Sequence, residues 1–359
     1  MKPWRKLLNS SSNTDTVSNV TSKVKINKMA KLFTCGKRSK TNKPPPNDKE
    51  VLKSMGYSCG KTIGEGTYSK VCVAALNGKV NTIHERVACK IIQKELAGTE
   101  FIEKFLPREL SIIRHLHHKH IISVHDVIEA NESIYIIMDY CKCGDLLEYV
   151  REKGALDEDV SKVFFEQIVN AISYLHTLDI AHRDLKCENV LLSSPQHIKL
   201  ADFGFARFCI DEHGNSLLSE TYCGSAAYAA PEIIQGIPYD PKMYDIWALG
   251  CILYVMISAT MPFDDSNVKK MLRNQLNRSL CVSAQKAWSS HCVHLQNLIA
   301  YLLEPDVKRR ATIRQVGNCV WLNMTRNENQ NYPSTSKCYK KYDGNLNGNF
   351  RQLSKSSLF

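Results

Sequence analysis

One short stretch constrains the fold of this 359-residue chain more than any other. It is HRDLKCEN at residues 182–189, followed after a short predicted strand by DFG at residues 202–204. Asp184 can orient an attacking hydroxyl and accept its proton, while Asn189 and Asp202 offer the hard oxygen ligands that Mg²⁺ prefers. Each residue type is also common in ordinary turns, so the interpretation depends on the spaced set. The set predicts a phosphoryl-transfer site, with Asp184, Lys186 and Asn189 as catalytic residues and Asn189 and Asp202 as metal ligands.

A second stretch, upstream of the first, has the composition of a phosphate-binding turn. Gly64 and Gly66 stand between two runs of strand-forming residues, where the missing Cβ lets the backbone turn tightly and approach phosphate. The motif is weak by itself. The candidate nucleotide-binding residues of this turn are Ile63, Gly64, Glu65, Gly66, Thr67, Tyr68, Ser69, Lys70 and Val71.

A lysine inside an apolar strand costs free energy to bury, so an anionic partner is expected. Lys90 ends the run VACK, and Glu109 lies nineteen residues later, where an apolar periodic run begins. Glu109 is the predicted partner, with Glu103 as the alternative. The pair would hold Lys90 against the α- and β-phosphates of a nucleotide.

The chain between DFG and the APE motif at residues 230–232 is long enough for a mobile segment. Thr221 within it is the predicted phosphorylation site, because a phosphate there could pair with Arg183 beside the catalytic base. Ser219 and Ser225 are alternatives, and an ordinary polar loop remains the plain interpretation of Thr221.

Taken in order, these motifs resemble those of protein kinases, and in detail they are similar to the testis-specific serine/threonine kinases of the calmodulin-dependent kinase group. The likeness is carried by GEGTYSKV, FLPREL, HRDLKCEN, DFGFA, TYCGSAAYAAPE, QGIPYD, LYVM, MPFDD and LLEPD, and covers about residues 57 to 322. It implies an α+β fold with a small β-rich N-lobe, about 57–138, and a larger helical C-lobe, about 139–322. The chain departs from the common pattern at Ser69, where kinase loops often have a third glycine, and at Cys89, where isoleucine is commoner.

The resemblance implies transfer of the γ-phosphate of Mg-ATP to serine or threonine of proteins, in male germ cells during sperm formation. Lys186 is typical of serine/threonine rather than tyrosine kinases, and Phe205 is typical of kinases that prefer serine. Phosphorylation of Thr221 would come from an upstream kinase or from the chain itself. The alternative function is a pseudokinase scaffold, although the residues that such proteins commonly lack are present here, namely Lys90, Asp184, Asn189 and Asp202.

The resemblance also assigns further nucleotide-binding residues. Val71 and Ala88 match the apolar roof over the adenine ring, although ordinary strand core is the favoured interpretation when the two residues are taken alone. The remaining members of the set are Met138 as gatekeeper, Asp139 and Cys141 in the hinge, and Leu191.

Two acidic residues match positions that, in relatives with basic substrates, receive an arginine three residues before the phosphoacceptor. They are Asp145 and Glu188, and a carboxylate pair facing a guanidinium is sound charge-assisted recognition. Asp145 is equally suited to capping a helix, and both residues to plain solvation. In the scaffold, the resemblance pairs Arg310 with Glu232.

The net charge of +11 belongs to the ends of the chain. Residues 1–50 have a net charge of +9 and residues 326–359 of +4, which leaves −2 for the middle. Both ends are polar with few large apolar residues, so we expect disordered tails at 1–56 and 323–359, with order beginning near Tyr57. This charge distribution weakens a nucleic-acid-binding function, except through the basic N-terminal tail.

Fourteen cysteines raise the question of disulfides, but the N-terminus lacks the apolar run of a signal peptide. We therefore expect reduced thiols and a cytoplasmic location, with the nucleus as the alternative. The apolar stretch from Ile246 to Met261 is short for a bilayer and predicts a buried helix instead of a membrane span.

Two other patterns need an interpretation. The tract HLHHKH at residues 115–120 suggests metal binding, but contiguous imidazoles cannot converge on one ion, so a loop between a helix and a strand is favoured. The segment from Asp159 to Leu178 has helical periodicity. Its predicted buried face consists of Val160, Val163, Phe164, Ile168, Ile172 and Leu175.

Overall fold

The structure is a computed structural model that describes residues 47–324, apart from 67–68, 77–85, 100, 222 and 282–290. Thr67, Tyr68 and Tyr222 lie outside the described residues, as do the tails at 1–46 and 325–359. The described chain divides into two compact units. The first unit runs to Ile102 and adds Val124–Asp139 and Glu212–Asn215; the second holds Glu103–Ser123, Tyr140–Asp211 and the chain from Ser216 onward.

An antiparallel sheet of five strands forms the core of the first unit, in the order β1-β2-β3-β5-β4. The strands are β1 (Tyr57–Glu65), β2 (Ser69–Leu76), β3 (Arg86–Gln93), β4 (Val124–Ala130) and β5 (Ser133–Asp139). The β-branched side chains of β5 fill a buried interior position in the sheet. A short helix, α2 (Lys94–Ala97), follows β3.

A helix precedes Tyr57, the residue near which the sequence predicted that order begins. It is α1 (Asp48–Ser54), whose Asn47 cap accepts a hydrogen bond from the Glu50 backbone N–H at 3.0 Å. Val51 and Leu52 of α1 are buried against the sheet. Two apolar residues in a charged heptapeptide are a weak sequence signal, because so short an amphipathic helix gains its stability from the surface that it covers.

The second unit is mostly helical. Its helices are α3 (Leu106–Ile113), α4 (Leu146–Lys153), α5 (Glu158–Thr177), α6 (Pro231–Ile234), α7 (Pro241–Ser258), α8 (Val268–Leu276), α9 (Val293–Leu302), α10 (Ile313–Gly317) and α11 (Val320–Asn323). A π-helical turn, Phe101–Phe105, leads into α3. Two small sheets pair β6 (Ile180–Ala181) with β9 (Arg207–Phe208), and β7 (Val190–Ser194) with β8 (His197–Leu200). The predicted α+β fold is confirmed.

Helix α5 buries a different face from the one predicted at its start. Val160 and Val163 are 36% and 45% exposed, whereas Phe164, Ile168 and the later apolar positions are buried. The buried face of α5 also includes Phe165, Val169 and the small residues Ser161 and Ala171. It is therefore rotated about the helix axis away from the predicted face, which included Val160 and Val163.

Helix α7 is buried along nearly its whole length, as predicted for the Ile246–Met261 stretch. Among the residues that the structure describes, no helix combines the length and apolar character needed to span a bilayer. Trp321 is fully buried, and its Nε1 donates to Glu158 Oε2 at 3.2 Å, which ties α11 to the start of α5. His291 and the Cys292 backbone N–H bond the other carboxylate oxygen of Glu158.

Candidate active site

The loop that carries HRDLKCEN is held in place by one buried carboxylate. Asp245 of α7 accepts hydrogen bonds from the backbone N–H groups of His182 and Arg183, at 2.9 and 2.8 Å. It is 1% exposed and also bonds His176 Nε2 at 2.9 Å. Asp245 thus satisfies backbone donors that the loop conformation leaves without helix or sheet partners.

The carboxylate of Asp184 is the centre of a hydrogen-bond network. Its Oδ2 accepts from Lys186 Nζ at 2.9 Å and from Asn189 Nδ2 at 3.1 Å. Its Oδ1 accepts from the backbone N–H and the hydroxyl of Ser225, at 3.1 and 3.3 Å. Lys186 Nζ also donates to Ser225 Oγ at 3.1 Å. The structure therefore brings together all three predicted catalytic residues, Asp184, Lys186 and Asn189.

Two residues of the site have positive φ although they are not glycine. Arg183 has φ +69° and Asp202 has φ +61°, a conformation that costs free energy and is often found at functional sites. Gly224 packs against the first of them. A Cβ on Gly224 would lie 2.7 Å from the Arg183 carbonyl oxygen and 2.8 Å from Tyr244 Oη, so only glycine fits there.

The DFG residues divide between surface and core. Asp202 is exposed, whereas Phe203 is fully buried with its ring 4.9 Å from that of His182, edge to face. A Cβ on Gly204 would lie 3.5 Å from Asp202 Oδ1 and 3.8 Å from Glu109 Oε2. The buried Glu109 carboxylate therefore lies beside the DFG turn. Lys90 belongs to the first unit and Glu109 to the second, so their pairing stays a prediction.

The donor set around Asn189 and Asp202 suits a magnesium ion that keeps water and phosphate among its ligands. Both amide hydrogens of Asn189 are committed to Asp184, at 2.8 Å to its carbonyl oxygen and 3.1 Å to Oδ2, which leaves the carboxamide oxygen to coordinate a cation. Within the described ranges, no group of three or more His, Cys, Asp or Glu side chains could hold a metal. Mg²⁺ is usually bound through one or two protein oxygens plus substrate phosphates, so these two residues fit it.

In the first unit, the predicted nucleotide-binding residues line one hairpin and its neighbours. The Gly66 N–H donates to the Ser69 carbonyl at 2.7 Å and closes the turn between β1 and β2. Val71 of β2 lies directly opposite Lys90 of β3, and Ala88 lies opposite Met138 of β5.

Lys70 does not join this set through its side chain. Its ammonium forms a salt bridge with Asp48 of α1, whose other oxygen accepts a hydrogen bond from Tyr135 Oη at 2.8 Å. Successive strand residues point to opposite faces, so Lys70 faces α1 while Ser69 and Val71 face the other side. Only the Lys70 backbone remains available to a nucleotide.

The last three predicted nucleotide-binding positions lie near the end of β5 and on β7. Asp139 ends β5 opposite Val87, and its Oδ1 lies 2.9 Å from His125 Nε2. Cys141 follows in the second unit and is half-buried. Leu191, also in the second unit, forms an isolated bridge with Asp145.

Asp145 and Glu188 are brought together on one groove of about 570 Å³. The groove is lined by Asp145, Leu147, Glu148, Arg151, Glu152 and Glu188. Asp145 also caps α4, since its Oδ1 accepts from the Glu148 N–H at 2.9 Å. The sequence prediction missed Glu148 and Glu152, whose spacing of four places them on the same helix face.

Thr221 is exposed, and its backbone carbonyl accepts hydrogen bonds from Arg183 and from the Tyr239 hydroxyl. Arg183 Nη2 donates to the Thr221 carbonyl at 3.3 Å and lies 2.8 Å from Cys223 Sγ. Ser219 is 1% exposed and pairs with Tyr239 through the backbone, and Ser225 is bonded into the Asp184 network. Of the three candidate phosphoacceptors, Thr221 is exposed, Ser225 is half-buried and Ser219 is buried.

Sequence reasoning missed two arginines beside Arg183. Burial, together with the positive charges of Arg183 and Arg207, lowers the pKa of the Arg108 guanidinium, so three guanidinium groups share one region. Among the described residues, Arg183 Nε is a buried donor without a hydrogen-bond partner. The three arginines come from α3, the catalytic loop and β9, and no spacing in the sequence connects them.

The scaffold pair that the resemblance implied is formed. Arg310 Nη1 and Nη2 bond Glu232 Oε1 and Oε2 at 2.6 and 2.9 Å, in a buried bidentate arrangement. The guanidinium also lies 5.0 Å over the Trp247 ring. This pair fixes the end of the segment that carries Thr221 against the helical core.

The histidine tract packs against aromatic rings. His118 stacks on Tyr174 with ring centroids 5.2 Å apart, and His120 lies 4.6 Å from His197. These residues form a turn and irregular chain between α3 and β4, which agrees with the predicted loop between a helix and a strand.

Comparison with known proteins gives consistent matches. The family model described as "Protein kinase domain" matches residues 57–322. Testis-specific serine/threonine-protein kinase 1 of Mus musculus is 46% identical over 278 residues, which is 77% of this chain and 74% of that protein. Testis-specific serine/threonine-protein kinase 3 of Homo sapiens is 46% identical over 278 residues, 77% of this chain and 99% of that protein. The human kinase 4 of the same name is 38% identical over 284 residues, 76% of this chain and 84% of that protein.

Proposed function

The chain belongs to the protein kinase family, among the testis-specific serine/threonine kinases, and from this premise we propose that it transfers the γ-phosphate of Mg-ATP to serine and threonine of proteins. The observation that carries the proposal is the Asp184 network, in which Lys186, Asn189 and Ser225 hold one carboxylate in a fixed orientation. We assign the catalytic domain to residues 57–322.

Asp184 orients the substrate hydroxyl and accepts its proton as the phosphoryl group moves. A carboxylate that is already hydrogen-bonded in place needs little reorganisation when the hydroxyl arrives. Lys186, within 2.9 Å of that carboxylate, donates to the transferring phosphoryl oxygens and stabilises their charge.

Lys90 and the glycine turn bind the phosphates of the nucleotide. Without a Cβ at Gly64 and Gly66 the backbone N–H groups can approach phosphate oxygens, and Val71, Ala88 and Met138 provide an apolar surface for the adenine. Asn189 and Asp202 would hold magnesium, which would supply positive charge to neutralise the phosphates of the nucleotide.

The acidic groove around Asp145 and Glu188 binds a basic side chain of the substrate. We propose an arginine three residues before the phosphoacceptor, because carboxylates at a groove of this charge favour a guanidinium. Asp145 keeps a free oxygen for this role, since only Oδ1 is used in capping α4.

Phosphorylation of Thr221 switches the enzyme on. The phosphate would lie beside Arg183, Arg108 and Arg207, relieve the mutual repulsion of these cations and give the buried Arg183 Nε an acceptor. Because Arg183 adjoins Asp184, the ordered segment would also fix the catalytic carboxylate.

The place of action that we propose is the male germ cell, in the cytoplasm or nucleus. Support comes from the names of the relatives and from the family resemblance. Immunostaining of sectioned tissues tests it, and strong signal confined to somatic tissue would contradict it.

The Asp184→Asn variant tests the reaction. We expect phosphotransfer from radiolabelled ATP to an arginine-containing peptide to fall by about 10²- to 10⁴-fold, because the base is lost while the shape is kept. Nucleotide affinity should change little. Asp157→Asn, an exposed carboxylate-to-amide change at the start of α5, is the matched control and should keep full activity. Normal turnover by Asp184→Asn would refute the assignment.

A further inference from the structure

Three thiols lie together beneath α1 in the first unit, away from the proposed site chemistry. Cys72 of β2 lies directly opposite Cys89 of β3, and Cys59 of β1 lies on the same face, diagonal to Cys72. The sulfur atoms of Cys59 and Cys72 are 3.1 Å apart. Cys72 and Cys89 are buried, and Cys59 is half-buried.

A β-bulge brings the first two sulfurs close. Cys59 pairs with Ala74 and Thr62 pairs with Cys72, so two residues of β1 stand opposite Val73 alone. Gly60 lies in this bulge, where a Cβ would be only 3.2 Å from the Val73 carbonyl oxygen. A bulge increases local twist and re-aims neighbouring side chains, and here it converts a diagonal pair into near contact.

We propose that Cys59 and Cys72 form a reversible oxidation site, which closes to a disulfide in the folded protein on exposure to hydrogen peroxide. The separation of 3.1 Å has to shorten to ~2.05 Å for the covalent bond, a movement that side-chain rotation at an edge strand can supply. Strand β1 is the edge of the sheet, where local opening costs the least free energy.

The surroundings make Cys72 the nucleophile. Hydrogen bonding from the Cys89 thiol, helped by the Cys59 thiol and the Lys70 ammonium, lowers the pKa of Cys72 against the opposing effect of burial. Burial and the bond to Cys72 raise the pKa of Cys59, so that thiol keeps its proton. The thiolate is the reactive form of cysteine, and its neighbour is a protonated thiol within reach.

The chemistry takes place in two balanced steps. The Cys72 thiolate attacks one oxygen of hydrogen peroxide, the O–O bond breaks, hydroxide leaves, and Cys72 becomes a sulfenic acid. The Cys59 sulfur then attacks the Cys72 sulfur, the S–O bond breaks, and water leaves with the Cys59 proton. The two sulfurs lose two electrons in total, and the peroxide gains them.

The disulfide would tie β1 to β2 below the turn that carries Gly64 and Gly66. Disulfide formation would also remove the negative charge of the Cys72 thiolate, which lies near the Lys70–Asp48 salt bridge beneath α1. The oxidation itself does not depend on the proposed kinase reaction, since every participant belongs to this cluster.

Peptide mapping of the full chain tests the proposal. The reduced protein is treated with hydrogen peroxide, remaining thiols are alkylated, and trypsin cleaves after Lys61, Lys70 and Lys79, which puts the three cysteines on separate peptides. We expect peptide 54–61 linked to peptide 71–79, with the link lost on reduction. The link should persist in Cys89→Ser and Cys143→Ser, and disappear in Cys59→Ser.

Thermal melting gives a second readout. Oxidised wild-type protein should melt a few degrees higher than the reduced protein, and the reducing agent should reverse the shift. Cys59→Ser, at a half-buried position, should show no shift. Two results with the wild-type protein would overturn the proposal: a link from peptide 71–79 to peptide 87–90, or no link while other cysteines oxidise. Neither result depends on whether a variant folds.

Discussion

Arg183 links the catalytic loop to the segment that carries Thr221. Its backbone N–H is held by Asp245, its conformation has positive φ, and its guanidinium reaches the Thr221 carbonyl. Arg108 and Arg207 add their charge to the same region. Three cations close together repel one another unless an anion joins them, so the cluster favours a phosphorylated segment.

Thr221→Ala is therefore expected to have a kcat at least tenfold lower than wild-type enzyme isolated with Thr221 phosphorylated, a difference of about 1.4 kcal/mol in activation free energy. The physical reason is the loss of the anion that orders the segment next to Asp184. Phosphosite mapping and peptide phosphorylation assays measure it. Ser216→Ala, an exposed change on the same segment, is the control. Full activity of Thr221→Ala with no phosphate on the segment would end the switch proposal.

Residue-level prediction worked best where chemistry is local in sequence. Asp184, Lys186 and Asn189 lie within six positions, so their motif indicated a common site, and the structure brings them together. Arg108 and Arg207 were missed because tertiary packing alone places them beside Arg183. Lys70 was assigned to the phosphate turn because the motif reads continuously, whereas the strand alternation turns its side chain to Asp48.

At the scale of elements, α1 shows what a local pattern cannot reveal. The helix has two buried apolar residues among charged ones, and its Asp48 bonds both Lys70 and Tyr135. Those partners lie on β2 and β5, far along the chain, so nothing near Asp48 announces them. The same tertiary effect rotates the buried face of α5 away from Val160 and Val163.

Leu52→Ala should destabilise the first unit by about 2–5 kcal/mol, because Leu52 is fully buried and its removal leaves a cavity under α1. Thermal melting and hydrogen exchange of β1 and β2 measure the loss. Lys53→Ala changes the exposed neighbour in the same helix and should alter the melting temperature little. If both variants melt like the wild type, α1 does not stabilise the sheet.

At the scale of the whole molecule, the half-buried Glu158 and the buried His120 make the helical unit sensitive to acid. Burial alone would raise the pKa of Glu158, but hydrogen bonds from His291, Cys292 and Trp321 outweigh it and lower the pKa to about 2. Its contribution to stability is complete above the unfolded value of about 4.5 and is lost as the pH falls toward 2. These bonds join α5 to α9 and α11, so their loss loosens several elements together.

His120 acts in a higher pH window. It is 2% exposed, and burial lowers its pKa to about 4, helped by the charges of His197, Lys119 and His118. A folded-state pKa below the unfolded value of about 6.5 means that stability is complete above pH 6.5 and falls as the pH drops toward 4.

His120→Asn should remove this loss of stability with falling pH, a change on the order of 2 kcal/mol between pH 7 and 4, although the variant is less stable than the wild type at pH 7. Melting temperatures across this range, with exposed His117→Asn as the control, measure it. An unchanged slope in His120→Asn would show that another group governs acid unfolding. In the His120→Asn variant, the loss of stability that remains below pH 4.5 should depend on Glu158, because the contribution of that carboxylate is lost between pH 4.5 and 2.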